Sequence, residues 1–398
     1  MTTMNRTRLF HSRPLNERQQ WDSVVNGRLL VAALLLLCGA FAASKVEAQE
    51  LALEFPDLIP QSKEFLLLQR HELAEMNEGP VTYRVQQKLR LAEIPADSKE
   101  VLIWISIPSD DDNQKLLSLL PQSIPGEWSV VEDADRRGRF LHSRVSNPEA
   151  AELEFTIEFA IRRSAIFTQI DPENVGLLSD LERSLLAEHL DRNALHMEVN
   201  DKVQAIADEV CGEEENFAIQ TVAIMKHIAK SADHYSYSQD PLMPRCGVGD
   251  AQNCLAQGGG CCTDLNSLFI ALARARGIPA RLNMGYRLQE QNVGKWADPG
   301  YRCWVEYYVP GYGWVSADIV EADAPNGKGH VRWLTGLTPR RIWLNQGRQF
   351  KFTGAHASEP VNHMNVAYAE IDGVAARVLP EGDLKPQLTR EVFFEEAK

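Results

Sequence analysis

A glycine run, Gly258-Gly259-Gly260, hands the backbone to Cys261-Cys262, and Thr263-Asp264 follows. Leu265, Leu268, Phe269, Leu272 and Ala273 then recur at helical spacing, which predicts a helix opening at the cysteine. Gly277 and Pro279 end it. A sulfur at a helix start meets unpaired backbone N–H groups and the positive end of the helix dipole, and both favour thiolate over thiol. Such a thiolate attacks a carbonyl carbon once a base takes its proton and a third group orients the base. The alternatives for Cys262 are a disulfide or an inert core thiol.

Strands follow the helix. Ala280 to Leu288 reads as one strand, and Tyr301–Val309 and Trp314–Ile319 as two more, joined around Pro310-Gly311-Tyr312-Gly313. On the first of that pair, Arg302, Trp304, Glu306 and Tyr308 share one face, and Cys303, Val305, Tyr307 and Val309 share the apolar one. Asp318 at the end of the second shares the face of Arg302 only if the turn holds an odd number of residues. The helices that approach the cysteine are expected over Leu177–Leu190, Val199–Val210 and Phe217–Lys230, followed by His234-Tyr235-Ser236-Tyr237 and a loop to Gly260. Gly247-Val248-Gly249-Asp250 in that loop lacks the Lys-Ser/Thr and the preceding strand of a phosphate loop.

Residues 49 to about 167 read as all-β. Leu153, Phe155, Ile157, Phe159 and Ile161 alternate with polar residues, and Val81–Leu91, Val101–Ile107, Trp128–Val131 and Phe140–Val145 add strands, which together suggest a small sandwich. Ser109-Asp110-Asp111-Asp112-Asn113 reads as a solvated loop, because its acids lack the spacing and glycine of a calcium loop. The acidic stretch after Asp383 is expected to fray.

The chain has 398 residues, 44% apolar and 24% charged, with a formal net charge of −14. That length allows two ordinary domains, and that charge argues against nucleic acid as a partner. Residues 1–48 read as a signal peptide. A basic segment carries Arg6, Arg8, Arg13, Arg18 and Arg28, an apolar run follows over Leu29 to Ala43, and Val46-Glu47-Ala48 offers a cleavage site. The expected compartment is therefore periplasmic or extracellular, with membrane attachment only if the leader stays uncleaved. Export puts Cys211, Cys246, Cys254, Cys261, Cys262 and Cys303 in an oxidising space, where an even number suggests disulfides. A nucleophile needs one of them free. No C-x-x-C spacing occurs among them, so zinc is disfavoured, and no cofactor or metal is expected.

From Val199 to Gly373 the chain resembles the transglutaminase-like superfamily, in particular its secreted bacterial members. The resemblance rests on Gly260-Cys261-Cys262-Thr263-Asp264, Arg276-Gly277-Ile278-Pro279-Ala280-Arg281, Arg302-Cys303-Trp304-Val305-Glu306 and Gly313-Trp314-Val315-Ser316-Ala317-Asp318. It implies an α+β fold, a papain-like core of helices and antiparallel sheet, preceded by a small all-β sandwich-like domain. The implied divisions are 1–48 signal peptide, 49–167 β-rich N-terminal domain, 168–355 transglutaminase-like domain with its helical approach, and 356–398 C-terminal strand and acidic tail. It implies Cys262 as nucleophile and Asp318 as orienting acid. Arg302 stands where the family has its histidine, Asn266 stands where relatives often have one, and Cys303 has counterparts between that histidine and the tryptophan.

Arginine offers no lone pair at working pH, and general acid–base help is worth roughly 100- to 10,000-fold. Two readings follow. The first is a secreted transglutaminase-like protein, catalytically impaired, whose cleft binds or scaffolds. The second is a working cysteine acyl-transferase, amidase or protease that forms a Cys262 thioester, with a displaced histidine such as His234 or His330 as base. In either case the expected partner is a protein or peptide carrying carboxamide or carboxylate groups. Arg302 and Asp318 are expected to form a partly buried salt bridge.

Overall fold

The strand that carries Arg302 lies inside a four-stranded antiparallel sheet. The computed structural model describes residues 58–72, 79–133, 135, 137–244, 248–298, 300–323, 331–364, 367–379, 381 and 383–397. The expected leader, Cys246 and His330 lie outside them.

The strands are β1 (Val81–Leu91), β2 (Glu100–Ile107), β3 (Gln114–Ser123), β4 (Glu127–Glu132), β5 (Arg139–Ser146), β6 (Leu153–Arg163), β7 (Ile166–Phe167), β8 (Asp233–His234), β9 (Gly259–Gly260), β10 (Ala280–Arg287), β11 (Tyr301–Val309), β12 (Gly313–Ala317), β13 (Gly336–Leu337), β14 (Arg341–Gln346), β15 (Tyr368–Ile371), β16 (Val374–Ala375) and β17 (Leu388–Glu396). The helices are α1 (Leu58–Glu72), α2 (Asp180–Leu185), α3 (Asp201–Cys211), α4 (Phe217–Ser231), α5 (Ala251–Gln257), α6 (Cys262–Ala275) and α7 (Ile319–Asp323). The architecture is α+β, with helices packed on antiparallel sheet.

The alternation read in β1 and β6 drives Tyr83, Val85, Leu89, Phe155, Ile157 and Phe159 into one apolar core. Two sheets enclose it, ordered β17-β1-β6-β3 and β16-β15-β2-β5-β4. Tyr286, Leu288, Ile342 and Leu344 of the central sheet belong to the same core, and residues 57–398 form one compact unit. The central sheet runs β12-β11-β10-β14. A bulge sits between Met284 and Gly285. A Cβ at Gly285 would lie 1.8 Å from the Ile342 carbonyl oxygen, so only glycine fits there.

Several expectations differ from the structure. The all-β segment opens with a helix, α1, which buries Phe65 and Leu66. Lys226 of α4 donates to the Gln61 carbonyl at 3.0 Å and lies over the Phe65 ring. β3 went unread because it is a bulged edge strand, mostly exposed and interrupted by Pro121; proline is tolerated at such an edge. The helix expected over 177–190 breaks into α2 and a 3₁₀ turn, leaving Leu177, Leu181 and Leu185 exposed. The acidic end is no frayed tail. β17 pairs with β1 from Tyr83↔Glu396 to Leu91↔Leu388, burying Leu388, Val392 and Phe394 while Glu391 and Glu395 face water. Among the described residues, no helix is long and apolar enough to cross a membrane.

Candidate active site

The glycine run brings the cysteine to its place. Gly258 ends α5 in the left-handed conformation. Gly259 and Gly260 have φ of 148° and 153° and pair in parallel with Asp233 and His234. A Cβ on Gly259 would meet the Asp233 backbone oxygen at 2.1 Å, and one on Gly260 the Asp264 carboxylate at 2.7 Å. Both positions therefore require glycine. Cys261 caps α6, and its N–H donates to Asp264 Oδ2 at 2.9 Å. Asp264 Oδ1 accepts from the Asp250 N–H at 2.8 Å, holding the preceding loop against the helix start. Cys262 is the first residue of α6 and is 5% exposed.

Asn266, one turn on, ties the helix to β11. Its Nδ2 donates to the Cys262 carbonyl at 2.7 Å, to the Cys303 carbonyl at 3.2 Å and toward Cys303 Sγ at 3.3 Å. Cys303 thus faces α6, as its apolar parity requires, and Phe269 packs edge-on against Tyr307 of the same face. Cys262 carries a free thiol, as do Cys211, Cys254 and Cys303. A contact with the Cys261 thiol is the strongest influence on Cys262 and acts to lower its pKa; contact with Cys303 and burial outweigh it, and the net shift is upward. The Arg302 charge opposes that rise. That net direction runs against the thiolate expected at a helix start: contact with Cys303 and burial favour the thiol, while Cys261 and Arg302 favour the thiolate.

The turn between β11 and β12 leaves Pro310, Gly311 and Tyr312 between the paired Val309 and Gly313. That odd count puts Arg302 and Asp318 on one side, as the parity argument required. The salt bridge expected between them does not form. Asp318 Oδ2 instead pairs with Arg341 at 2.8 Å, and Arg302 pairs with Glu321 at 3.4 Å. Asp318 also caps α7: its Oδ1 accepts the Glu321 N–H at 3.1 Å. Capping turns the chain so that Glu321 comes between the two strands, where Arg287 reaches it at 2.9 Å and Arg341 at 3.1 Å. Arg287, Arg302 and Arg341 therefore converge on Asp318 and Glu321, and all but the partly exposed Arg287 are buried.

Burial pushes the Asp318 carboxyl upward, but the Arg341 and Arg302 charges and the two hydrogen bonds hold it below the usual carboxylate range. Burial acts to lower the Arg302 pKa, and Asp318, Cys262, Glu321 and Tyr237 more than reverse it, so the guanidinium stays charged. His234 lies at the edge of this group. Burial, then the Arg302 charge, pushes its pKa down to about 3, and its Nδ1 meets Ser236 Oγ at 2.7 Å. Among the described residues, no histidine is within hydrogen-bond reach of the Cys262 sulfur. The sequence reading missed Glu321, Arg287 and Arg341 as members of the site. The Asp318-x-x-Glu321 spacing, a helix-start signature, was the available signal.

His189 and His227 are also held neutral, each pushed down to about 4, chiefly by burial. Their folded pKa values lie below the ordinary value of about 6.5, so acid favours the unfolded chain. Stability is expected to be full above pH 6.5 and to fall toward pH 4, by up to about 2 kcal/mol for each of the three histidines at pH 5. Urea unfolding at pH 7.5 and pH 5 measures this, and His234→Gln should reduce the difference. Equal stability at the two values would mean that the three rings are protonated without cost.

Among the described residues, no group of three or more His, Cys, Asp or Glu side chains could hold a metal ion. A cysteine at the start of a helix packed on an antiparallel sheet, with an acid at the end of a neighbouring strand, defines the class of fold and site. Residues 204–319 match the transglutaminase-like superfamily, a segment that includes Cys262, Arg302 and Asp318. The chain is 23% identical over 331 residues to an uncharacterized protein of Haemophilus influenzae, spanning 73% of this chain and 86% of that one. A candidate cysteine protease from Cytophaga hutchinsonii is similar in structure, with a TM-score of 0.48 and 18% identity over 80% of this chain and 99% of that one. The periplasmic domain of TgpA from Pseudomonas aeruginosa matches with a TM-score of 0.27 and 18% identity, over 66% of this chain and 94% of that one.

Proposed function

We propose that this transglutaminase-like domain has lost ordinary triad catalysis and that its cleft binds a partner through a carboxylate. The state of Arg302 carries the proposal. It occupies the base position, stays charged, and makes one described contact, at 3.4 Å to Glu321. A guanidinium has five N–H donors in a planar fork, so most of that fork is left for a ligand. Three guanidiniums facing two carboxylates leave one positive charge uncompensated beside Cys262, which suits a carboxylate-bearing peptide. The basic and apolar pattern of residues 1–48 supports export of the protein.

The second reading, a working acyl-transferase, is favoured by the free thiol of Cys262 in the first turn of α6. Alkylation of Cys262 across pH, read by peptide mass mapping, decides between them. The expected result is slow labelling with a midpoint above the ordinary thiol value of about 8.5, slowed further by a peptide with a free C-terminal carboxylate but not by its amidated twin. Fast labelling at pH 7 would establish an activated thiolate and restore the enzyme.

A further inference from the structure

The face of β11 that Arg302 shares carries a second feature farther along the strand. Trp304 and Glu306 point there, opposite Cys303 and Tyr307, and with the neighbouring strands and the Asp110–Asn113 loop they line a cavity of about 550 Å³. At its floor, Asn283 of β10 pairs with Trp304 in the sheet register. Asn283 Oδ1 accepts from Trp343 Nε1 at 3.0 Å and from Gln346 Nε2 at 3.0 Å. Those two donors settle which way the amide points, so Nδ2 is a donor, and it has no hydrogen-bond partner although the residue is only 2% exposed. Arg163, 1% exposed, also lines the cavity and leaves its Nε unpartnered. Buried donors of this kind are costly to leave unmet.

Four carboxylates (Asp110, Asp111, Asp112 and Glu306) and three guanidiniums (Arg137, Arg163 and Arg281) line the cavity. Arg163 Nη1 holds Asp111 at 3.0 Å, and Arg281 holds Glu306 at 2.7 Å while stacking over Trp314. An added anion would therefore be opposed by the excess carboxylate, whereas a neutral ligand bearing acceptors suits a lining with unmet donors. The lining also presents partly exposed aromatic rings, Trp343 and Tyr312, beside the Glu306 carboxylate. Neutral, ring-shaped, and able to donate and accept around its rim: these properties belong together in a pyranose, whose C–H face suits an aromatic surface. A peptide is the weaker fit. Extended peptides gain affinity by pairing with a free strand edge, and β10 and β11 are interior strands of their sheet.

We propose that the cavity over Asn283 and Trp304 binds an uncharged pyranose unit of a glycan, at a site separate from the Cys262 cleft. The full chain should be titrated with chitotetraose, cellotetraose and maltotetraose by calorimetry and tryptophan fluorescence. Binding of at least one probe is expected, weakened 10-fold or more by Asn283→Ala. Because Asn283 also accepts two hydrogen bonds, Tyr312→Ala at the cavity mouth provides a second variant, expected to weaken binding with the circular dichroism spectrum unchanged. No binding of any probe up to about 10 mM would overturn the proposal. So would tighter binding of a capped neutral peptide that is lost in the same variants, which would assign the cavity to peptides.

Discussion

Arg341→Met is expected to destabilise the fold by about 3–5 kcal/mol, the cost of stripping one partner from a buried ion pair. Arg341 is 2% exposed and Asp318 0%. Removing the guanidinium leaves Asp318 Oδ2 without its 2.8 Å partner in a site that water does not reach. Glu321 suffers less, because Arg287 still reaches it at 2.9 Å. The double variant Arg341→Met with Asp318→Asn removes opposite charges together and should recover part of the loss, since the neutral amide still has an oxygen to cap α7. Urea unfolding of the single and double variants, with m compared across the set, measures the coupling. A loss under about 1 kcal/mol, the size of an exposed pair, would show that the cluster is effectively solvated.

That cluster marks the limit of what could be read in advance. Cys262 at a helix start, the strand order around it and the shared side of Arg302 and Asp318 were legible, because apolar periodicity and the glycine and proline positions are local signals. The partners of Asp318 were not. Arg341 comes from β14, after a long connection, and Glu321 arrives only because Asp318 caps α7 and turns the chain. No local pattern encodes which of several arginines closes on a given acid. The sulfur neighbours of Cys262 were hidden for the same reason. The helix start was visible, but the facing Cys303 depends on how α6 docks on β11. β17 was hidden by composition: Glu391, Glu395 and Glu396 read as a solvated tail, although the alternating Leu388, Val392 and Phe394 form its buried edge.

The charge cluster also predicts what a histidine at position 302 would do. Arg302→His should change stability by less than about 1 kcal/mol, because the contact it removes is long, 3.4 Å, and losing the support its charge gives Asp318 is offset by removing the uncompensated positive charge. It also leaves Arg287 and Arg341 facing Asp318 and Glu321, two charges against two. Chemically it supplies a lone pair where none exists. We expect hydrolysis of a p-nitrophenyl ester to rise about 100-fold, the lower end of what general acid–base help gives. The lower end follows from the surroundings. Both Asp318 oxygens are committed, one to Arg341 and one to the Glu321 N–H, so the new imidazole would lack a dedicated orienting acid. The Cys262 thiol would still be raised by Cys303 and burial. Relieving the second constraint with Cys303→Ala in the Arg302→His background should add a further gain, and Cys262→Ser should abolish all of it. An increase that survives Cys262→Ser would be hydrolysis by the histidine alone. No Cys262-dependent increase in either background would mean that the cleft had departed from acyl transfer in its access and shape, not only at position 302.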